Sequence, residues 1–192
     1  MGTDELAATI MERDGKLEPE AREQLVTAYI AGIQRMYEHG ARNILVSNVP
    51  AIDQSPMMRL ATMNNSMIRA GNICVDFNAR LAFALHQLAR ALPDANVWLF
   101  DAQRMTIRVR ANPQLHKETA GYVYVEGFCY LYADEWNLRD EIDTNQEACK
   151  TPLDAYYWRD SIHMQENVHR LQSRLMVAMM ADRHTLLPYE DW

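Results

Sequence analysis

An aspartate stands three residues before a histidine in the run Tyr156-Tyr157-Trp158-Arg159-Asp160-Ser161-Ile162-His163. That spacing lets Asp160 and His163 share one turn. A carboxylate placed there accepts the imidazole Nδ1–H, fixes the tautomer and leaves Nε2 with a lone pair that can take a proton. The same residues also read as plain structure: Asp is a favoured N-cap, so Asp160 can cap a following helix with His163 in its first turn. A nucleophile to go with the pair is hard to find. The serines are Ser47, Ser55, Ser66, Ser161 and Ser173, and none sits in Gly-Asp-Ser or Gly-x-Ser-x-Gly. Ser47 falls near a strand end and reads as a packed strand serine. Ser161, between Asp160 and His163, reads as a helper of the turn.

Other groupings are weaker. Tyr156, Tyr157 and Trp158, above all the last two, read either as a wall facing a sugar or acyl group, or as packing before the site. His163, Glu166 and His169 form His-x-x-Glu-x-x-His, but on a helix the outer two point about 120° apart, so no shared metal ion is expected. None of the seven glycines forms a GxGxxG or P-loop pattern, and no nucleotide cofactor is expected. Of the three cysteines, Cys129 and Cys149 flank a polar, loop-like stretch and are the candidate disulfide, with Cys74 free on a different helix. The alternative is three buried free thiols.

The elements that must position these residues follow from periodicity. Apolar residues at Leu25, Tyr29, Ile33 and Met36 predict a helix over 21–38 that Gly40 stops. Asn43–Val49, ended by Pro50, reads as a buried parallel strand. Met57, Leu60, Met63 and Met67 predict a short helix interrupted near Gly71, then a stronger helix over 72–92 with Leu81, Leu85, Leu88 and Leu92 on one stripe. Val97–Phe100 reads as a second buried strand ending at Asp101. Residues 102–112 are a candidate helix, 122–125 an irregular extended piece, and 133–151 an acidic loop region. Val168, Leu171, Leu175 and Met179 predict a last helix over 165–182. Helix, strand, helix, strand is the α/β order of a parallel sheet with helices on its faces. Two strands fall short of the roughly four to six of an independent sandwich, so the domain reads as incomplete.

Composition narrows the partners. The 192 residues suit one domain, with 48% hydrophobic and 23% charged residues. A net charge of −7 argues against a broad nucleic-acid surface, which needs clustered Lys and Arg. No apolar run reaches about 18 residues, so no membrane span is expected. Met1–Asp14 lacks the basic and apolar regions of a signal peptide, and the compartment stays open.

The Trp-Arg-Asp-Ser-Ile-His block resembles the last block of GDSL/SGNH-type serine esterases, in wording especially like fungal members related to carbohydrate esterases. Upstream text agrees in order. Gly40 to Pro50 is similar to the family's helix end, central strand and Asn-x-Pro turn. Phe77-Asn78-Ala79-Arg80-Leu81 resembles the helix that follows, and Asp101 and Asn112-Pro113 fall in family order. The likeness spans roughly 20–182. It implies a three-layer α/β/α sandwich of flavodoxin-like SGNH type, a single domain over 1–192 that lacks its N-terminal part. It implies hydrolysis of a carboxylic ester, on an acetylated sugar or polysaccharide or on an acyl lipid, with Asp160 and His163 as acid and base and no cofactor.

Three departures matter. Met164-Gln165 stands where the family has Pro-Thr. The Gly-Asp-Ser block and the block after it are absent. The Gly-x-Asn-Asp block is at best echoed by Gly2-Thr3-Asp4-Glu5, where Asp4 would replace an oxyanion-stabilising amide. An ionised carboxylate has no proton to donate there. The expectation is therefore a poor or inactive esterase with an unfinished sheet edge through which it self-associates. The alternatives are an inactive relative that binds a ligand or partner, and an unrelated α/β interaction domain in which Asp160 and His163 are structural.

Overall fold

The computed structural model of the chain describes residues 19–60, 65–129, 149 and 151–181. It is a mixed α/β structure, mostly helical, with a two-stranded parallel sheet among the described residues. Helix α1, Pro19–Glu38, begins on a proline, whose missing N–H costs nothing at a first helical position. It ends as expected at Gly40, which has φ +98°. Gly40 N donates to Tyr37 O at 2.9 Å and Ala41 N to Met36 O at 3.0 Å, the paired bonds of a Schellman cap.

Strand β1, Asn43–Ser47, lies parallel to β2, Asn96–Phe100, in register from Asn43↔Asn96 to Ser47↔Phe100. Between them come the short helix α2, Pro56–Leu60, and the long helix α3, Asn65–Ala91. After β2 come α4, Ala102–Ala111, and then α5, Glu166–Ala181. Side chains alternate across the sheet. Ile44, Val46 and Val97 pack with Val26 and Ile33 of α1 and Leu81, Leu85 and Leu88 of α3. Trp98 and Phe100 pack with Met105 and Val109 of α4 and Val168, Leu171 and Met179 of α5. Helices thus cover both faces. No helix among the described residues is long and apolar enough to cross a membrane.

One expectation is corrected. Gly71 does not interrupt a helix; α3 runs through it. A Cβ there would meet Asp53 Oδ2 at 3.1 Å, so the glycine lets the turn Ile52–Gln54 lie close against α3. Strand β1 also stops two residues short of Val49; Asn48 N still donates to Phe100 O at 3.0 Å, while its side chain bonds Asp101 and Gln103 N. The extended piece at 122–125 pairs with the segment before His163: Val123 N and Tyr124 N donate to Ala155 O at 2.8 and 3.1 Å, and Tyr157 N to Tyr124 O at 2.8 Å. The expected lead-in at 1–18, and nearly all of the acidic loop at 133–151, lie outside the described residues.

Candidate functional site

The Asp160–His163 pair sits in a tight loop whose two arms are zipped together. Trp158 and Met164 form an antiparallel bridge. Arg159 N donates to His163 O at 2.8 Å, and Gln165 N to Tyr157 O at 2.9 Å. At the tip, one carboxylate oxygen of Asp160 accepts from Ile162 N at 2.8 Å and His163 N at 2.7 Å. The other accepts from His163 Nδ1 at 2.7 Å. An ionised carboxylate can only accept, so Nδ1 carries the proton and Nε2 the lone pair. Burial pushes the Asp160 carboxyl up, but the N–H groups of His163 and Ile162 and then the imidazole outweigh it and hold it below its ordinary value. Asp160 caps its own turn and not the next helix, which starts only at Glu166.

The loop stands on an aromatic base. Tyr157 is fully buried, and its hydroxyl donates to Met164 Sδ at 3.2 Å. It is therefore core and does not face a cleft. Trp158 is also buried, with its Nε1 donating to Val125 O at 3.0 Å, yet its ring borders a small cavity at His163. Arg110 lies over that ring, donates to Val125 O and Gln54, and pairs with Glu126 at 2.9 Å. Below this, a disulfide joins Cys129 and Cys149, Cα atoms 5.5 Å apart, and packs with Tyr156 and Leu153. It ties down the approach to the loop. Cys74 is free and buried on α3, its thiol pushed up to about 12 by burial and by Asp53.

A second turn faces the loop, at the C-terminal ends of the strands. Asn48 Nδ2 donates to Asp101 Oδ1 at 2.9 Å, and Gln103 N to Asn48 Oδ1 at 3.1 Å. Asp101 also caps α4 by accepting from Arg104 N. Buried Asn78 accepts from Val49 N at 3.0 Å and donates to Val49 O at 2.9 Å. Ala51 N donates to Thr106 Oγ1 at 3.1 Å. These bonds fix Pro50, Ala51 and Ile52, which line a cavity together with His163.

His163, with half its side chain exposed, borders two cavities. One, of about 180 Å³, is lined by Pro50, Ile52, Trp158, Ile162 and Met164 and is mostly apolar. The other, of about 570 Å³, is lined by Asp154, Arg159, Gln165, Glu166, Asn167 and His169 among others and is polar and apolar in near-equal parts. Among the described residues lining either cavity, none is a serine. Ser47 Oγ donates to Asn48 O at the end of β1, Ser55 is fully buried, and Ser173 Oγ donates to His169 O. Thr106 borders the small cavity, but its hydroxyl is engaged with Ala102 O and Ala51 N. Gly2 and Asp4 lie outside the described residues. His163 precedes α5 while His169 lies on it, so the helical spacing considered for a metal does not apply. No group of three metal-binding side chains occurs among the described residues.

Sequence reading missed Asn48 and Asn78 as anchors and Arg159 and His169 as lining residues. An asparagine directly after an apolar strand was the available signal for Asn48, since it must settle its amide near strand ends. No protein-family model and no curated protein matches the chain.

Proposed function

We propose that the cleft at His163 belongs to a carboxylic-ester hydrolase of GDSL/SGNH type, on an α/β/α sandwich of that kind. The observation that carries the reading is the 2.7 Å bond from His163 Nδ1 to Asp160. It leaves Nε2 as a base beside a cleft. In the reaction Nε2 takes the proton of an attacking hydroxyl, the oxygen adds to the ester carbonyl, and the imidazolium returns the proton to the departing alkoxide. Asp160 orients the ring and stabilises its charged form. The two cavities supply a division of labour. A dry apolar cavity of about 150 Å³ holds one benzene ring, so the smaller one here suits a short acyl group. The larger one, with its mixed lining of charged, amide and apolar side chains, suits a hydroxylated alcohol such as a sugar more than a lipid.

The sequence has no Gly-Asp-Ser, so turnover of this chain is expected to be slow, with water as the attacking hydroxyl. The test is 4-nitrophenyl acetate hydrolysis by the purified chain beside His163→Ala, Asp160→Asn and Ser47→Ala. The expected result is a weak rate that drops by about 10²-fold or more in His163→Ala. A rate unchanged in that variant overturns the reading. Loss in Ser47→Ala as well would identify Ser47 as the nucleophile. The lack of a serine among the lining residues favours a second reading, a ligand-binding module without turnover; binding of an ester with no hydrolysis would support it.

A further inference from the structure

Arg159 has a feature that ester hydrolysis alone does not use. Its backbone is fixed, with N donating to His163 O at 2.8 Å. Its side chain is half-buried and lines the larger cavity together with His163. Arg22, Arg42, Arg59, Arg80, Arg110, Arg170 and Arg174 each pair with a carboxylate. Exposed Arg35, Arg90 and Arg104 and half-buried Arg108 have no ion pair among the described residues either, but they line neither cavity at His163. The guanidinium of Arg159 has no ion pair or hydrogen bond among the described residues. Holding a cation partly out of water with no partner is unfavourable, and a bound anion removes that cost.

The other charges of the cleft set the anion's size. Glu166 borders the same space but is paired with Arg170 at 2.7 Å. Asp154 borders it and is exposed, with no cation on it among the described residues. The positive end of the 16-residue helix α5 opens there, since Gln165, Glu166 and Asn167 all line the cleft. A dianion would meet the Asp154 carboxylate, whereas a monoanion can take the guanidinium fork and leave Asp154 to hydroxyl groups.

We propose that Arg159 is a specificity-determining residue that binds a carboxylate on the alcohol portion of the ester, so that the preferred substrate is a short acyl ester of a hydroxy acid. This rests on the ester-hydrolase reading. A planar carboxylate matches the guanidinium with two parallel charge-assisted hydrogen bonds. The anchored backbone places that fork four residues from the base, within one loop.

The experiment compares 3-acetoxybenzoate with the neutral 3-acetoxybenzamide, following acetate release. The wild-type chain is expected to show a kcat/KM ratio of about 10 or more in favour of the acid. Arg159→Gln should bring the ratio close to one, and Arg159→Lys should retain part of it. A parallel arm titrates the chain with benzoate and with benzamide, reading the His163 imidazole by NMR. Benzoate should bind about 10-fold more tightly than benzamide, and Arg159→Gln should abolish the difference. If neither ester is hydrolysed but benzoate is still preferred through Arg159, the hydrolase reading fails and the anion site stands. If hydrolysis depends on His163 but acid and amide behave alike in both arms, the anion site is overturned. If Arg159→Gln does not fold, Arg159→Lys carries the test of the residue: a ratio unchanged from wild type in that variant, or equal treatment of acid and amide by the wild type, overturns the proposal.

Discussion

Two turns face each other at the site, and they are built in opposite ways. The turn after β1 is held from outside. Asn78, Thr106 and Asp101 come from other elements and bond its backbone and Asn48. The Asp160–His163 loop is held mainly from inside, by its own carboxylate on two backbone N–H groups and one imidazole, with one backbone bond from outside, Met57 N to Ser161 O at 2.7 Å. The first turn is therefore a neutral floor whose position depends on the whole fold. The second carries most of its geometry in the nine residues Tyr157 to Gln165 and uses one charge for both structure and chemistry.

The largest expected effect comes from removing what the inner loop stands on. Tyr157→Ala deletes a fully buried ring and should cost about 4 kcal/mol of stability, with the His163 NMR signal losing its bonded character. Chemical denaturation measures the first and proton NMR the second. A cost near zero would mean that the loop carries itself without its base. Asn78→Ala should come next. It leaves the buried Val49 N–H and C=O without partners, a loss of about 3 kcal/mol, yet the Asp160–His163 bond should persist. Disruption of that bond in Asn78→Ala would erase the distinction between the turns.

Opening the disulfide with a Cys129→Ser, Cys149→Ser double variant should cost about 3 kcal/mol by the loop it frees. Thermal unfolding with and without reductant checks it, and the reduced wild type should match the double variant. The smallest effect concerns pH. The Asp160 carboxyl is held below its ordinary value in the fold, so the folded state binds fewer protons than the unfolded state there. The contribution of Asp160 is full above the ordinary carboxylate value, near 4, and fades as pH falls through the lowered one. The stability gap between wild type and Asp160→Asn, about 1 kcal/mol at neutral pH, should narrow as pH is lowered from about 5 to about 2. A gap that does not change with pH would show that the amide replaces the charge fully.

What the sequence disclosed follows the same division. Local features were legible. Asp160 and His163 share a turn because they are three residues apart, and Gly40 ends α1 through its own backbone. The heptad-like stripe of Leu81, Leu85 and Leu88 announced α3 and its buried face. Non-local features were not. Gly71 looked like a break because the atom it makes room for, on Asp53, is far from it in sequence. Tyr157 and Trp158 were indistinguishable as wall or packing until Val125 and Met164 were placed around them. Neither the partners of Asn78 nor the place of Arg159 in the larger cavity has any trace in local spacing. The Cys129–Cys149 bond was legible only as a candidate, from the polar stretch that it brackets.

The span of these contacts also sets an order of assembly. The strand pair joins Asn43 to Asn96 across 53 positions, whereas the carboxylate–imidazole bond closes over three. By the logarithmic cost of chain closure, the longer contact is dearer by about 2.5 kcal/mol before any packing repays it. The acidic turn can therefore flicker into place in the unfolded chain, on the timescale of local hairpins, well ahead of the sheet. Its ledge cannot, since the Trp158 partner lies 33 positions upstream. The base thus finds its orienting carboxylate early, and its cleft only when the rest of the molecule has closed.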